Sequence, residues 1–201
     1  MITKIGVVGA HSTGKTTFVR KLKEYLSKEG FTVYIIEELA RRGRKSSLKE
    51  FHVQKMIIEE QIRKEREIKE KIKSDYLIKG GQYVLITDRT TIDNFVYLEL
   101  YGHKEKIINK NLMETIEENN RSYDIIVYIP IQTKASSDGF RDVNELFRFM
   151  IDEEIKERLE NLKINHNIKV LNNDESIFAK IIEVLIDREN FNTEFKEWRD
   201  Q

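Results

Sequence analysis

The 201-residue chain carries 35 basic and 35 acidic side chains and no cysteine, which excludes disulfides, thiolate metal sites and a redox-active thiol. Charges that cancel argue against a nucleic-acid binder, whose surface carries a basic excess, and no apolar run approaches the roughly 20 residues of a membrane span. With 39% hydrophobic residues the chain suits a single domain over residues 1–201 with a core that needs no staples, a cytoplasmic location and no membrane partner.

Hydrophobic period and chain breakers predict alternating strands and helices. Thr3 to Val8 reads as a first strand, entered from Met1 without a signal-peptide pattern. Lys15 to Glu29 reads as a helix with Phe18, Val19, Leu22, Tyr25 and Leu26 on one face and Gly30 as its stop. Phe31 to Ile36 is a second strand. The charged stretch from Ser47 to Ile78 is predicted as two helices or one bent helix, with Ile58, Ile62, Ile72 and Tyr76 resting on the sheet and the remainder in water. After Gly80-Gly81, Tyr83 to Thr87 is a third strand, and Thr90 to Tyr101 and Glu105 to Asn119 are helices separated by Gly102-His103. Asp124 to Ile129 is a fourth strand, stopped by the only proline, Pro130.

Beyond it, Ile131 to Gly139 is small and polar, as in a loop on the side where strands end. A helix from Asp142 to Leu162, a strand from Ile168 to Leu171 and a helix from Asp174 to Arg188 follow, and Glu189 to Gln201 forms a tail that packs or frays. The expected architecture is α/β, three layers α/β/α, with a mostly parallel five-stranded sheet between helices. Ligands of such sheets bind beyond the C-terminal strand ends, where this chain collects its polar residues.

Gly9-Ala10-His11-Ser12-Thr13-Gly14-Lys15-Thr16 fits the phosphate-binding pattern G-x-x-x-x-G-K-[ST] between a strand and a helix. Glycines let successive N–H groups turn toward phosphate oxygens, and the helix dipole faces the same anion. Gly9, His11, Ser12, Thr13, Gly14, Lys15, Thr16 and Thr17 are therefore the expected nucleotide-binding residues. Lys15 reaches the β- and γ-phosphates, and the Thr16 hydroxyl is offered to Mg²⁺.

Asp88, closing a buried strand, is placed to share that metal, the alternative being an N-cap for the following helix. Of Glu37 and Glu38 only one faces the site, because strand neighbours point to opposite sides. A carboxylate there takes the proton of an attacking hydroxyl; otherwise the pair is solvated with Arg41 and Arg42. Lys134, Asp138, Gly139 and Arg141, with Arg148 two turns further on, describe a lid over about residues 131–148, whose arginines would neutralise the transferred phosphoryl group; the bland reading is a salt-bridged surface loop. Phe95, Tyr97 and Tyr101 pack in the core or line a ring pocket. His11, His52, His103 and His166 show no metal-ligand spacing.

Gly9 to Thr17, Glu38-Leu39-Ala40-Arg41, Thr87-Asp88-Arg89-Thr90 with Asn94 and Tyr97, and Asp138-Gly139-Phe140-Arg141 with Ile151-Asp152, in that order, resemble the small P-loop family that includes the ribosylnicotinamide kinase domain of the bacterial NAD-synthesis regulator. The resemblance runs to about residue 185. It implies that Glu38 lies near the phosphate acceptor, that Asp88 lies near metal and substrate, and that Arg141 and Arg148 belong to the lid. The resemblance covers neither a nucleotidyltransferase nor a DNA-binding part, and many members of the family have no assigned substrate, so the acceptor does not transfer with the family.

Two functions follow. The first is an ATP-dependent, Mg²⁺-requiring kinase of a small hydroxyl-bearing metabolite, a nucleoside or a ribosylnicotinamide-like molecule, with Lys15, Glu38, Asp88, Arg141 and Arg148 as the catalytic set. The second is a regulatory or switch NTPase read by a protein or nucleic-acid partner. GTP ranks below ATP, because Asn109-Lys110-Asn111 is followed by Leu112 and not by the aspartate of a guanine-reading element. The basic run Arg41-Arg42-Gly43-Arg44-Lys45 would serve nucleic acid but suits a solvated loop on a charge-balanced chain. A homo-oligomer is compatible with either function.

Overall fold

A computed structural model describes residues 2–39, 50–103, 110–132, 145–165, 169–172 and 176–187. Five strands, β1 (Ile2–Val8), β2 (Thr32–Ile36), β3 (Tyr83–Asp88), β4 (Ile125–Tyr128) and β5 (Lys169–Asn172), form one sheet in the order β2-β3-β1-β4-β5. Every pairing is parallel. Fully parallel strands need cover on both faces, and β1, β3 and β4 accordingly show no exposed residue.

The helices divide unequally between the faces. α1 (Lys15–Lys28) buries Phe18, Val19, Leu22 and Leu26 against Ile5, Val7, Val84 and Ile86, and is joined there by α6 (177–187) through Ile177 and Ile181. Tyr25, expected on the same apolar face, is only partly buried. The opposite face carries α2 (Phe51–Lys79), α3 (Thr91–Leu98), α4 (Lys110–Arg121) and α5 (Glu145–Asn165), packed around Val8, Leu85, Ile126 and Tyr128. The chain thus leaves β1 toward one face and β3 toward the other. A crevice opens between their ends, the switch point at which such sheets bind ligands.

Strand register decides what stands at that crevice. Val7 is paired with Asp88 and Ile36 with Thr87, so β1, β2 and β3 finish together and hand Gly9, Glu38 and Asp88-Arg89 to the same edge.

Three expectations change. The segment predicted as two helices or one bent one is a single helix of 29 residues. Tyr76, expected on the sheet, stays 37% exposed, whereas Gln61 and Glu65, assigned to water, are buried. Glu65 forms an ion pair with buried Lys4, accepts from Tyr123 Oη at 2.7 Å and from Asn119 Nδ2 at 2.9 Å, and so satisfies its charge inside the fold. The helix predicted from Thr90 ends its α-turns at Leu98 and closes with a π-turn, Glu99–His103. Residues 189–201 and most of the expected lid lie outside the described residues.

Candidate active site

Gly14, at φ 91, is the N-cap of α1 and accepts the first helical bond from Phe18 N. That left-handed turn is inexpensive only for glycine. Gly9 has a second reason to lack a side chain: a Cβ there would stand 2.4 Å from the Ile129 carbonyl oxygen at the end of β4. Between them the loop curls around the Lys15 ammonium, which donates to the carbonyls of Gly9 at 2.8 Å and Ala10 at 2.5 Å. Burial, then the neighbouring Arg89 charge, pushes the Lys15 pKa down to about 7, against the opposing pull of Asp93, Glu38 and Asp88. These four side chains therefore act on Lys15 within one site.

Thr16 Oγ1 donates to Asp88 Oδ2 at 2.6 Å. The N-cap role considered for Asp88 belongs instead to Thr90, whose capping box with Asp93 starts α3. The second oxygen, Asp88 Oδ1, is buried without a hydrogen-bond partner among the described residues. A hard hydroxyl beside a carboxylate with a free buried oxygen suits Mg²⁺, which binds through one or two protein oxygens and completes its shell with phosphate and water.

Glu37 is exposed and Glu38 buried, as strand alternation carried past Ile36 requires. Glu38 Oε1 accepts from Arg89 Nε at 2.6 Å. Arg89 takes φ 91, a left-handed conformation unusual for a non-glycine residue, and its guanidinium lies 4.8 Å from the centre of the Tyr97 ring. Gln61 Nε2 approaches the Arg89 carbonyl at 3.4 Å. As a cation following a buried strand aspartate, Arg89 is expected from the sequence to pair with a phosphate or a carboxylate, and here it pairs with the Glu38 carboxylate.

The outside of the phosphate loop is fastened by side chains with no local motif. Asp93 accepts from Gly9 N at 3.0 Å through Oδ1 and from Thr90 N at 2.9 Å through Oδ2. Tyr97, one turn further along α3, accepts from His11 N at 3.1 Å. Arg148, completely buried in α5, donates from Nε to the His11 carbonyl at 3.0 Å and from Nη2 to that of Ser12 at 3.2 Å. Arg148 is thus part of a helix that grips the loop, where a lid arginine was expected; Lys134, Asp138, Gly139 and Arg141 lie outside the described residues. Of the aromatic trio, Phe95 joins the core, while Tyr101 stacks on Phe147 with ring centres 5.3 Å apart.

A parallel sheet, a glycine-capped phosphate loop and a Thr16–Asp88 pair at the strand ends define a P-loop NTPase of kinase-like fold. The chain belongs to the family described as AAA domain, whose family model matches residues 4–176. No curated protein sequence matches it. Among solved structures it is similar to NadR protein in complex with NR (23% identity, TM-score 0.62, covering 92% of this chain and 51% of that one) and to NadR protein in complex with NAD and AMP-PNP (20%, 0.60, 92% and 49%). It is also similar to deoxyadenosine kinase from M. mycoides with products dCMP and dCDP bound (16%, 0.57, 94% and 99%). The chain therefore spans about half the length of the NadR chains and nearly all of the deoxyadenosine kinase chain.

Proposed function

We propose that this protein is a kinase that moves the γ-phosphoryl group of ATP to the hydroxyl of a small metabolite, a nucleoside or a ribosylnicotinamide-like molecule. The observation that carries the proposal is the place of Glu38: a buried carboxylate, ion-paired with Arg89, close enough to Lys15 to act on its charge. A carboxylate apart from the metal-side Asp88 is placed to orient and deprotonate the nucleophile that attacks the γ-phosphate, which in a kinase is the acceptor hydroxyl. The similar NadR and deoxyadenosine kinase structures support the reading at the level of fold.

Lys15 and the loop N–H groups hold the triphosphate, and the positive end of α1 faces it. Glu38, ion-paired with Arg89, orients the acceptor hydroxyl and receives its proton as the new O–P bond forms and the bond to the ADP oxygen breaks. Thr16 and Asp88 would hold Mg²⁺, which when bound neutralises charge on the β- and γ-phosphates. Arg141 would close over the transfer. Arg148 holds the loop in shape while it happens.

The test is the Glu38→Gln variant. It should bind Mg-AMP-PNP as the unaltered protein does and lose phosphoryl transfer to every acceptor by about 100-fold or more, from the lower end of the general-base range upward. Unchanged transfer would remove Glu38 from the catalytic set, and absence of transfer to any acceptor by the unaltered protein would overturn the kinase assignment.

A further inference from the structure

Only two non-glycine residues among those described adopt positive φ, Ser12 at 57° and Arg89 at 91°. They belong to different loops and to different halves of the proposed reaction, the triphosphate half and the acceptor half. Tyr97 touches the neighbourhood of both. Its hydroxyl accepts from His11 N at 3.1 Å and lies 3.0 Å from His11 Nδ1, and its ring supports the Arg89 guanidinium at 4.8 Å.

The hydrogen-bond inventory of a phenol fixes the arrangement. A tyrosine hydroxyl has one proton to give and two lone pairs. One lone pair is used by the His11 amide. If Nδ1 also carried a proton, the hydroxyl would accept twice and its own proton would lack this partner. With the imidazole proton on Nε2, Oη donates to Nδ1 and keeps its lone pairs for the His11 amide and for Arg89, its other hydrogen-bond partner. Both backbone groups of His11 are then held, its N–H by Tyr97 and its carbonyl by Arg148 Nε at 3.0 Å, immediately before Ser12 with its positive φ.

We propose that Tyr97 is a positioning residue that couples the phosphate loop to the Arg89–Glu38 pair, so that the two halves of the site hold their geometry together. This rests on the kinase reading only for its consequence in catalysis; the coupling itself belongs to the nucleotide site. Loss of the Tyr97 hydroxyl frees the loop at His11. Replacement of Arg89 by Lys removes the planar guanidinium that the ring carries and shifts the ring in turn.

The test is a double-variant cycle read by calorimetric binding of Mg-AMP-PNP to Tyr97→Phe, Arg89→Lys and the two combined, each first confirmed as folded by circular dichroism. Each single change should weaken binding about three- to tenfold, the scale of one hydrogen bond. The combined variant should be no weaker than the worse single change within about twofold, the non-additivity of coupled residues. Effects that multiply, or a single change without effect, would overturn the coupling. A merely structural tyrosine would lower the melting temperature and leave binding by the folded protein unchanged. Should Arg89→Lys fail to fold, nitrogen NMR of the His11 ring decides by itself. The unaltered protein should show an unprotonated Nδ1 whose signal moves in Tyr97→Phe, and an unmoved signal would sink the proposal. No acceptor enters either measurement, so failure to find a phosphorylated product would strike the kinase reading and leave this one standing.

Discussion

Thr16 Oγ1 and Asp88 Oδ2 meet at 2.6 Å, joining the first turn of α1 to the last residue of β3 across 72 positions of chain. The contact exists because Val7 is in register with Asp88, which brings the end of β3 beside the loop that β1 feeds. With Asp88 Oδ1 buried and unpartnered among the described residues, the pair is built to accept one more ligand. Asp88→Asn keeps the shape and removes the charge. The Mg²⁺ requirement of turnover should rise about 10- to 100-fold, the scale found when groups supporting a bound metal are removed, as read by titrating activity with Mg²⁺ at fixed nucleotide.

Lys15 titrates where the protein works. Its pKa is pushed down to about 7 by burial and by the Arg89 charge, so in the free protein it is largely neutral by pH 8. A bound triphosphate favours the charged form and raises that pKa. Nucleotide binding near pH 8 should therefore take up about one proton, and affinity should fall as pH rises above about 7. Calorimetry in buffers of different ionisation enthalpy measures the uptake. Lys15→Met should abolish it.

The same depressed pKa has a signature in stability. An unfolded chain keeps Lys15 protonated to about pH 10.4, while the folded chain releases the proton at about 7. Between these values the unfolded state binds more protons, so the Lys15 contribution to stability rises with pH through that window. Chemical denaturation from pH 7 to 9 without nucleotide should show a steeper rise than the Lys15→Met variant does.

Glu38 and Arg89 have nearly no solvent, with side chains 4% and 6% exposed. Removing one partner of a buried pair leaves the other uncompensated, at a cost of about 3–5 kcal/mol. Glu38→Gln keeps an acceptor for Arg89 Nε and should fall at the low end of that range, whereas Glu38→Leu should fall at the high end. Urea denaturation measures both.

Much of the fold was legible because its signals are local. Apolar runs of four to six residues marked the strands, and Gly30 and Gly80-Gly81 marked the stops that the structure keeps at φ 89, 63 and 94. The phosphate loop is likewise contiguous in sequence. Thr90 and Asp93 carry the local spacing of a capping box, but that Asp93, Tyr97 and Arg148 hold the phosphate loop is not local: it depends on which loop each helix faces after folding. Gln61 and Glu65 were assigned to water because a charged helix normally exposes such residues; buried Lys4, Tyr123 and Asn119 reverse the balance for Glu65, and Gln61 in turn donates to Glu65. The helix predicted from Glu105 is described from Lys110 onward, residues 104–109 lying outside the described residues, and no residue pattern announces the π-turn at Glu99–His103.

Gly9 gives the sharpest steric prediction. A methyl group 2.4 Å from the Ile129 carbonyl cannot be relieved by moving a flexible side chain. Gly9→Ala should separate β1 from β4 at the site, lowering stability by about 2 kcal/mol or more and abolishing Mg-AMP-PNP binding. Gly14→Ala meets no atom within 4 Å and is strained only by its φ of 91, so it should fold and bind more weakly.

The most direct measurement is ADP release from Mg-ATP with and without a panel of nucleosides, nicotinamide riboside and their monophosphates, with Lys15→Ala as the blank. The account predicts that one acceptor stimulates release and appears as its phosphorylated product, with the Lys15→Ala protein inactive. Slow hydrolysis that ignores every acceptor would contradict it and leave a nucleotide-driven switch in its place.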